Sequence, residues 1–110
     1  MNNDQALAAL AGLAQKSRLA VFRHLIELGP DGACPGDIAD ATGITATTLS
    51  FHLKALSHAG LIDAEQNGRS ITYRANFAAM QGLVDYLTDN CCGGKPSQCA
   101  PASAPTRKRG

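Results

Sequence analysis

The sequence predicts a mainly α-helical domain with one small β-hairpin, an α+β fold class. Apolar residues recur at helical spacing in four separate stretches, and an Asn-Gly dipeptide stands between two short strand-like stretches. Apolar residues make up 45% of the 110 residues, with no Trp and 5% aromatic residues, so the core must be aliphatic. This length fits one domain, or one that shares its core with a second copy.

Three helices are predicted in the first 42 residues. Apolar spacing predicts the first helix from Asp4 to Ala14 and the second from Ser17 to Leu28. Residues 29–32 (GPDG) predict a loop. A proline then suits the first turn of a short third helix over residues 35–42, which stops at Gly43.

A fourth helix follows a short connection that contains glycine (TGIT). Thr45 is a suitable N-cap, and the spacing of Leu49, Leu53 and Leu56 predicts an apolar stripe that faces the core before the helix ends near Gly60. A short connection of this kind is typical of a helix-turn-helix, because it sets two helices at a steep angle.

A hairpin and a fifth helix complete the predicted domain. The stretches LIDAEQ and RSITYR read as strands around Asn67-Gly68, the favoured dipeptide for a two-residue turn with positive φ. Asn76 is suited to cap the last helix, which runs to about residue 90. The order α1-α2-α3-α4-β1-β2-α5 predicts a winged helix-turn-helix, whose fourth helix would enter the major groove of double-stranded DNA.

One face of the fourth helix carries the predicted DNA contacts. If the leucine stripe faces inward, the residues about 180° away face outward. These are Thr47, Phe51, Lys54 and His58, with Thr48 and Ser50 on the flanks. Their hydroxyl groups can bond phosphates or base edges, which makes this face suitable for a duplex.

Phe51, its neighbour and two arginines of the hairpin have alternative interpretations. Phe51 could press a thymine methyl group or pack under a neighbouring loop. His52 lies on the flank of the leucine stripe, so it is either a structural histidine or a base or phosphate contact. Arg69, beside the hairpin turn, is predicted to enter a narrow minor groove or touch phosphate, and Arg74 is a secondary phosphate candidate.

Composition limits the other function classes. Ten Lys and Arg residues nearly cancel nine Asp and Glu residues, so DNA binding has to depend on where the charges lie. No stretch resembles a signal peptide or is long enough to span a membrane, which predicts a cytoplasmic protein. The sequence has no Cys-x-x-Cys motif, no βαβ pattern and no set of acid and base groups, which argues against an enzyme. We also expect no organic cofactor.

Apolar faces on the first and last helices predict a homodimer. Neither face has an obvious partner inside the winged unit, so we expect the two helices to pair across a two-fold axis. The residues predicted there are Leu7, Leu10, Met80, Leu83, Val84 and Leu87. A dimer would present two recognition helices to half-sites about one DNA turn apart, so the operator should be an inverted repeat.

Two segments of the sequence resemble the ArsR family of bacterial repressors. They are TTLSFHLKALSHAGLI in the fourth helix and QNGRSITYR in the hairpin. The residues that match the family pattern are Ser50, His52, Leu53, Leu56, Gly60 and Leu61. The resemblance covers about residues 7–87, and it implies a homodimer that sits on its promoter and leaves when an inducer binds.

Two inducer sites of that family are incomplete in this chain. The Cys-x-Cys site of the third helix has Cys34, but Gly36 stands in the second cysteine position. The zinc site of the last helix would need Asp and His, and this helix has Asp85 and no His.

Cys91, Cys92 and Cys99 resemble a third site of the family, a C-terminal site that binds arsenite. Three thiolates without a histidine suit a soft ion with three bonds, such as As(III) or Sb(III), better than zinc. The stretch GGKPSQCAPASAPTRKRG lacks large apolar residues, so the chain is predicted to divide into a domain over residues 1–90 and a cysteine-containing tail over residues 91–110. A thiol redox switch at the same cysteines remains the alternative, although no basic residue adjoins Cys91 or Cys92 to lower a thiol pKa.

Overall fold

A computed structural model describes residues 1–89 of the chain, and this part contains five α-helices and one antiparallel hairpin. The helices are α1 (Asn3–Leu13), α2 (Lys16–Leu28), α3 (Pro35–Thr42), α4 (Ala46–His58) and α5 (Phe77–Leu87), and the strands are β1 (Ile62–Asn67) and β2 (Ser70–Ala75). The predicted fold class and element order are confirmed. The predicted tail lies outside the described residues, with Cys91, Cys92 and Cys99.

Local side chains set several helix ends. At the start of α1, Asn2 and Gln5 form a capping box in which each side-chain oxygen accepts a 2.8 Å hydrogen bond from the backbone N–H of the other. Asn76 caps α5 as predicted, because its Oδ1 accepts from the N–H of Ala79 at 3.0 Å. Gly43 ends α3 in the left-handed conformation, with φ 74°.

The core lies between α2, α3, α4 and the inner end of the hairpin, and α1 and α5 add Ala6, Ala9 and Leu83 to it. Its largest fully buried side chains are Val21, Leu25, Ile38, Leu49, Leu56 and Leu61. The leucine stripe of α4 is buried as predicted, with exposures of 2% or less. Burial of each such side chain contributes about 1.5–3 kcal/mol, so this stripe fixes the orientation of α4 and turns its opposite face outward.

The hairpin turn lies one residue further along the chain than predicted. Asn67 pairs with Ser70, so the two turn residues are Gly68 and Arg69, and Gly68 has φ 62°. A glycine in the first turn position is typical of type II′ hairpins. This register also pairs Ile62 with Ala75, and both side chains are buried in the core.

The wing, which is the β1–β2 hairpin, is attached to the segment between α2 and α3. A short 3₁₀ turn, Gly29–Asp31, replaces the predicted loop there. Ala33 and Tyr73 form a two-bond antiparallel bridge, with N···O distances of 3.0 and 2.8 Å. A Cβ atom at Gly32 would collide with the carbonyl oxygen of Tyr73, so a glycine is required for this approach.

Helix α1 crosses the C-terminal end of α4 at close range. A Cβ atom at Gly12 would lie 2.9 Å from the Cβ of Ala59, so only a residue without a side chain lets the two segments approach in this way. Arg18 Nε donates to the carbonyl oxygen of Gly12 at 2.8 Å, which satisfies one carbonyl at the end of α1. No helix within residues 1–89 has the length and apolar character needed to cross a membrane.

Candidate nucleic-acid interface

The outward face of α4 is the first candidate surface. Thr47, Ser50, Phe51 and Lys54 are all exposed and together line one shallow hollow. Their orientation agrees with the prediction from the leucine stripe. Helix α4 contains no Asp or Glu, so nothing on it would repel a phosphate backbone.

The N-terminus of α4 is capped differently from the prediction. Thr45 is the N-cap residue, but its side chain makes no bond to the helix backbone. Its Oγ1 instead donates to Oγ1 of Thr48 at 3.1 Å. Thr48 is itself exposed, and the first-turn N–H groups of α4 lack a side-chain cap, as in helix N-termini that bind phosphate.

His52 is placed with the core rather than with the exposed face. Its side chain is buried, at 7% exposure, and its Nδ1 has no hydrogen-bond partner within residues 1–89. The structural interpretation is therefore favoured over a base or phosphate contact. Its ring contacts that of Phe51 edge to face, with centroids 6.4 Å apart and planes at 65°.

The two arginines of the wing have different surroundings. Arg69 occupies the turn itself and is exposed, so the shifted register places it at the tip. Arg74, the secondary phosphate candidate, is occupied elsewhere. It forms a 2.6 Å ion pair with Glu65 and donates from Nε to the carbonyl oxygen of Pro30 at 2.8 Å, which attaches the wing to the 3₁₀ turn. Spacing alone could not have shown this contact, since Pro30 is 44 residues away in sequence.

A second candidate surface lies on the terminal helices. Leu7 and Leu10 of α1 are 56% and 40% exposed, and Val84 and Leu87 of α5 are 46% and 58% exposed, in agreement with a face left open for a partner. Leu83 departs from the prediction. It is 6% exposed and belongs to the core of the subunit.

Met80 resembles Leu83 in part, because it is half-buried and packs against the same core. The predicted face thus includes the inner edge of α5, which faces α1. The two helices are also joined by a 3.2 Å hydrogen bond from the Tyr86 hydroxyl to Oδ1 of Asn3.

The described residues do not contain the predicted inducer site. Within residues 1–89, no group of three or more His, Cys, Asp or Glu side chains is placed to hold a metal ion. Cys34 is the half-buried N-cap residue of α3. The three cysteines predicted to bind As(III) or Sb(III) lie in the part of the chain that the structure does not describe.

Comparisons with known proteins agree with this geometry. Residues 13–65 match the model of a helix-turn-helix domain family. The chain is 28% identical over 89 residues to the HTH-type transcriptional regulator YgaV of Escherichia coli, covering 81% of this chain and 88% of that protein. It is 32% identical over 80 residues to the arsenical resistance operon repressor of Bacillus subtilis, covering 73% and 72% respectively.

A solved structure extends the comparison to the fold. The homodimeric winged helix-turn-helix DNA-binding domain of a possible ArsR-family regulator from Mycobacterium bovis superposes with a TM-score of 0.62. It is 30% identical, and the alignment covers 84% of this chain and 86% of that one. These relatives are transcriptional regulators, which confirms the prediction that the chain is not an enzyme. The chain belongs to the ArsR/SmtB family of winged helix-turn-helix transcriptional regulators.

Proposed function

We propose that this protein is a homodimeric repressor that binds an inverted-repeat operator and leaves it when As(III) or Sb(III) binds Cys91, Cys92 and Cys99. The observation that carries the DNA-binding half is the exposed face of α4. Hydroxyl groups, one aromatic ring and one lysine are brought together there on a helix without carboxylates.

Each contact of the proposed complex follows from the chemistry of its residue. Thr47 and Ser50 have short hydroxyl groups that donate to base-edge or phosphate oxygens. Lys54 neutralises a phosphate, and Arg69 does the same from the tip of the wing. Because these are few charges, one subunit alone binds weakly, and the two half-sites of an inverted repeat supply the remaining affinity.

The proposed dimer uses the open faces of α1 and α5. The similar domain from Mycobacterium bovis is homodimeric, which supports a dimer, and the exposed apolar side chains of this chain indicate the faces. Leu7, Leu10, Val84 and Leu87 are large apolar side chains left in water by the single subunit, and a second copy would bury them.

The proposed inducer chemistry is ligand exchange without oxidation. Arsenous acid carries three hydroxyl groups, and three cysteine thiols replace them, so three As–S bonds form and three water molecules leave. Cys91 follows the last residue of α5, Leu87, by four positions. A constraint at these cysteines therefore acts next to the proposed dimer face, and it releases DNA only if the metalloid binds the DNA-free state more tightly.

Fluorescence anisotropy of a labelled operator duplex tests this proposal. The reduced full-length protein is titrated onto DNA from upstream of its own gene, and arsenite, antimonite, zinc and hydrogen peroxide are then added separately. We expect micromolar arsenite or antimonite to release the DNA and zinc to leave it bound. Cys91→Ser, Cys92→Ser and Cys99→Ser should each abolish release, whereas Cys34→Ser, the matched control, should respond as the native protein does.

Two other results would change the proposal. Release by peroxide with arsenite inert would assign the cysteines to a thiol redox switch. Release by arsenite in all three tail variants would place the inducer site elsewhere in the chain. In either case the DNA-binding half would stand, because it rests on α4 and the wing.

A further inference from the structure

We infer that the ring of Phe51 reads the C5-methyl group of a thymine, so each operator half-site carries a T·A pair beneath the middle of α4. This inference rests on the proposed DNA-binding function and specifies one base of its target. It is carried by the exposure of Phe51, by the polar groups around it and by its contact with His52.

The exposure of Phe51 is unusual among the large apolar residues. At 71% it exceeds that of every other large hydrophobic residue in the described part of the chain. Its neighbours in the hollow are Thr47, Ser50 and Lys54, none of which extends the apolar surface into a patch. A lone aromatic ring among hydroxyl groups and a cation is poorly suited to a protein partner, whose interface core would be largely apolar.

The major groove offers a complementary pattern. Across its major-groove edge a T·A pair presents the thymine methyl group, the thymine O4 acceptor, the adenine N6 amino donor and the adenine N7 acceptor, and uracil differs from thymine only in lacking that methyl. Thr47 or Ser50, which line the same hollow as the ring, can donate to the O4 acceptor next to the methyl, and Lys54 can pair with a phosphate of the backbone. A methyl group next to an acceptor therefore matches an aromatic ring next to a hydroxyl donor.

Position on the helix places the ring where bases are read. Thr47, Phe51 and Lys54 follow the i, i+4, i+7 spacing of one helix face, so they span about 10 Å along the axis, or roughly three base pairs. Phe51 is the middle one of the three. Residues in the N-terminal half of a recognition helix are those that contact base edges in helix-turn-helix proteins.

His52 acts as a positioning residue for this ring. An exposed phenylalanine side chain normally moves among rotamers, and ordering it on binding costs free energy. The buried imidazole of His52 contacts the Phe51 ring edge to face at a centroid distance of 6.4 Å, so one orientation is favoured before DNA arrives.

Replacing thymine by uracil removes only the C5-methyl group from the duplex, so it tests the inference directly. Duplexes that bind the reduced full-length protein are selected from a random library, and each thymine of the half-site is then replaced singly by uracil. We expect one position at which uracil weakens binding by about fourfold, the loss associated with one methyl-sized apolar contact.

Three variants assign this effect to the ring. Phe51→Ala should bind the thymine and uracil duplexes equally, and Phe51→Leu should keep part of the preference. Lys54→Ala, the matched control on the same face, should weaken both duplexes by the same factor and leave the preference intact. His52→Leu should reduce the preference while His52→Phe retains it, with circular dichroism confirming that each variant is folded.

The possible outcomes distinguish a failure of the methyl contact by Phe51 from a failure of the proposed DNA-binding function. If the library yields no bound duplex, the proposed DNA-binding function fails. If duplexes bind but uracil is neutral at every position, or if Phe51→Ala keeps the thymine preference, the methyl-reading role of Phe51 is overturned and the DNA-binding function stands.

Discussion

Two surfaces of this molecule expose large apolar side chains, and their surroundings differ. On α4, Phe51 stands alone among hydroxyl groups and a lysine. On α1 and α5, four leucine and valine side chains are exposed, and neither helix contains a lysine or arginine. Exposure alone would group the two surfaces together, but the charges and the number of apolar groups separate them.

The difference indicates which partner each surface suits. Nucleic acid needs cations and hydrogen-bond donors, with apolar contact limited to single methyl groups. A second protein copy buries several apolar side chains at once and favours an interface core poor in charge. We therefore propose that α4 binds DNA and that the terminal helices bind a second copy of the chain.

The largest expected effect comes from breaking the terminal-helix surface. Leu87→Glu would place a charge in the proposed dimer face, and a buried unpaired charge is strongly unfavourable. We expect a monomer by analytical ultracentrifugation and an affinity for the inverted repeat lowered by at least about 100-fold, because the two half-sites are no longer bound together.

Leu19→Glu is the matched control for that variant. Leu19 is 44% exposed on α2, outside both candidate surfaces. The Leu19→Glu variant should remain dimeric, and its affinity for DNA should be within a few-fold of that of the native protein. If Leu87→Glu were also dimeric, the second copy would have to use another face, and the comparison between the two surfaces would fail.

The next effect comes from breaking the α4 surface while the dimer is kept. Thr47→Glu puts a carboxylate in the first turn of α4, where the helix dipole stabilises it by about 0.3–1 kcal/mol. Facing phosphates and base acceptors, the same carboxylate should weaken DNA binding by about 2 kcal/mol, roughly 30-fold. The prediction is a more stable protein that binds DNA poorly, measured by thermal unfolding and by anisotropy.

Thr47→Ser keeps the hydroxyl group and serves as its control, with affinity expected within about threefold of native. A native affinity in Thr47→Glu would show that this end of α4 does not face the duplex.

The fold was predictable from sequence where local signals and burial agree. The leucine stripe of α4, the Asn76 cap and the Gly43 helix end each follow from residues within one or two turns of each other. The predicted turn lies one residue before the observed one because Asn67-Gly68 and Gly68-Arg69 both suit a two-residue turn. The observed register pairs Ile62 with Ala75 and buries both in the core, and this tertiary contact favours it over the predicted register.

The candidate site was predictable to a smaller extent. Helical geometry was sufficient to orient Thr47, Phe51 and Lys54, because they lie opposite a clear apolar stripe. It was insufficient for His52, since a residue on the flank of a stripe is buried or exposed according to what packs beside it. Arg74 was open to misinterpretation for a similar reason, because its partner Pro30 is distant in sequence.

A smaller effect is expected where α1, a helix of the proposed dimer face, crosses the end of α4. Gly12→Ala would push a methyl group against Ala59 at 2.9 Å, and overpacking of this kind costs about 1–3 kcal/mol, more than the gain in helix propensity of about 1 kcal/mol. We expect a net loss of stability of about 1 kcal/mol in urea unfolding.

Gly36→Ala provides the contrast, because a Cβ atom there meets no atom within 4 Å and the residue lies in the first turn of α3. It should leave stability unchanged or raise it by up to about 1 kcal/mol. Equal behaviour of the two variants would mean that α1 can shift away from α4 without cost.

The smallest expected effects distinguish the two wing arginines. Arg69→Gln should reduce the slope of log affinity against log salt by about one per subunit, because one phosphate contact is lost at the tip, and should leave stability unchanged. Arg74→Gln should do the reverse. It removes the ion pair with Glu65 and the bond to Pro30, so stability should fall by about 0.5–1 kcal/mol while the salt slope stays at its native value.

Salt titrations of both variants, with urea unfolding in parallel, would decide between the two roles. A reduced slope in Arg74→Gln would mean that this arginine leaves Glu65 to bind phosphate in the complex. An unchanged slope in Arg69→Gln would mean that the wing tip stays clear of the backbone. The charge needed for DNA binding would then have to come from Lys54 and the other cations of the domain, and α4 would bear most of the recognition.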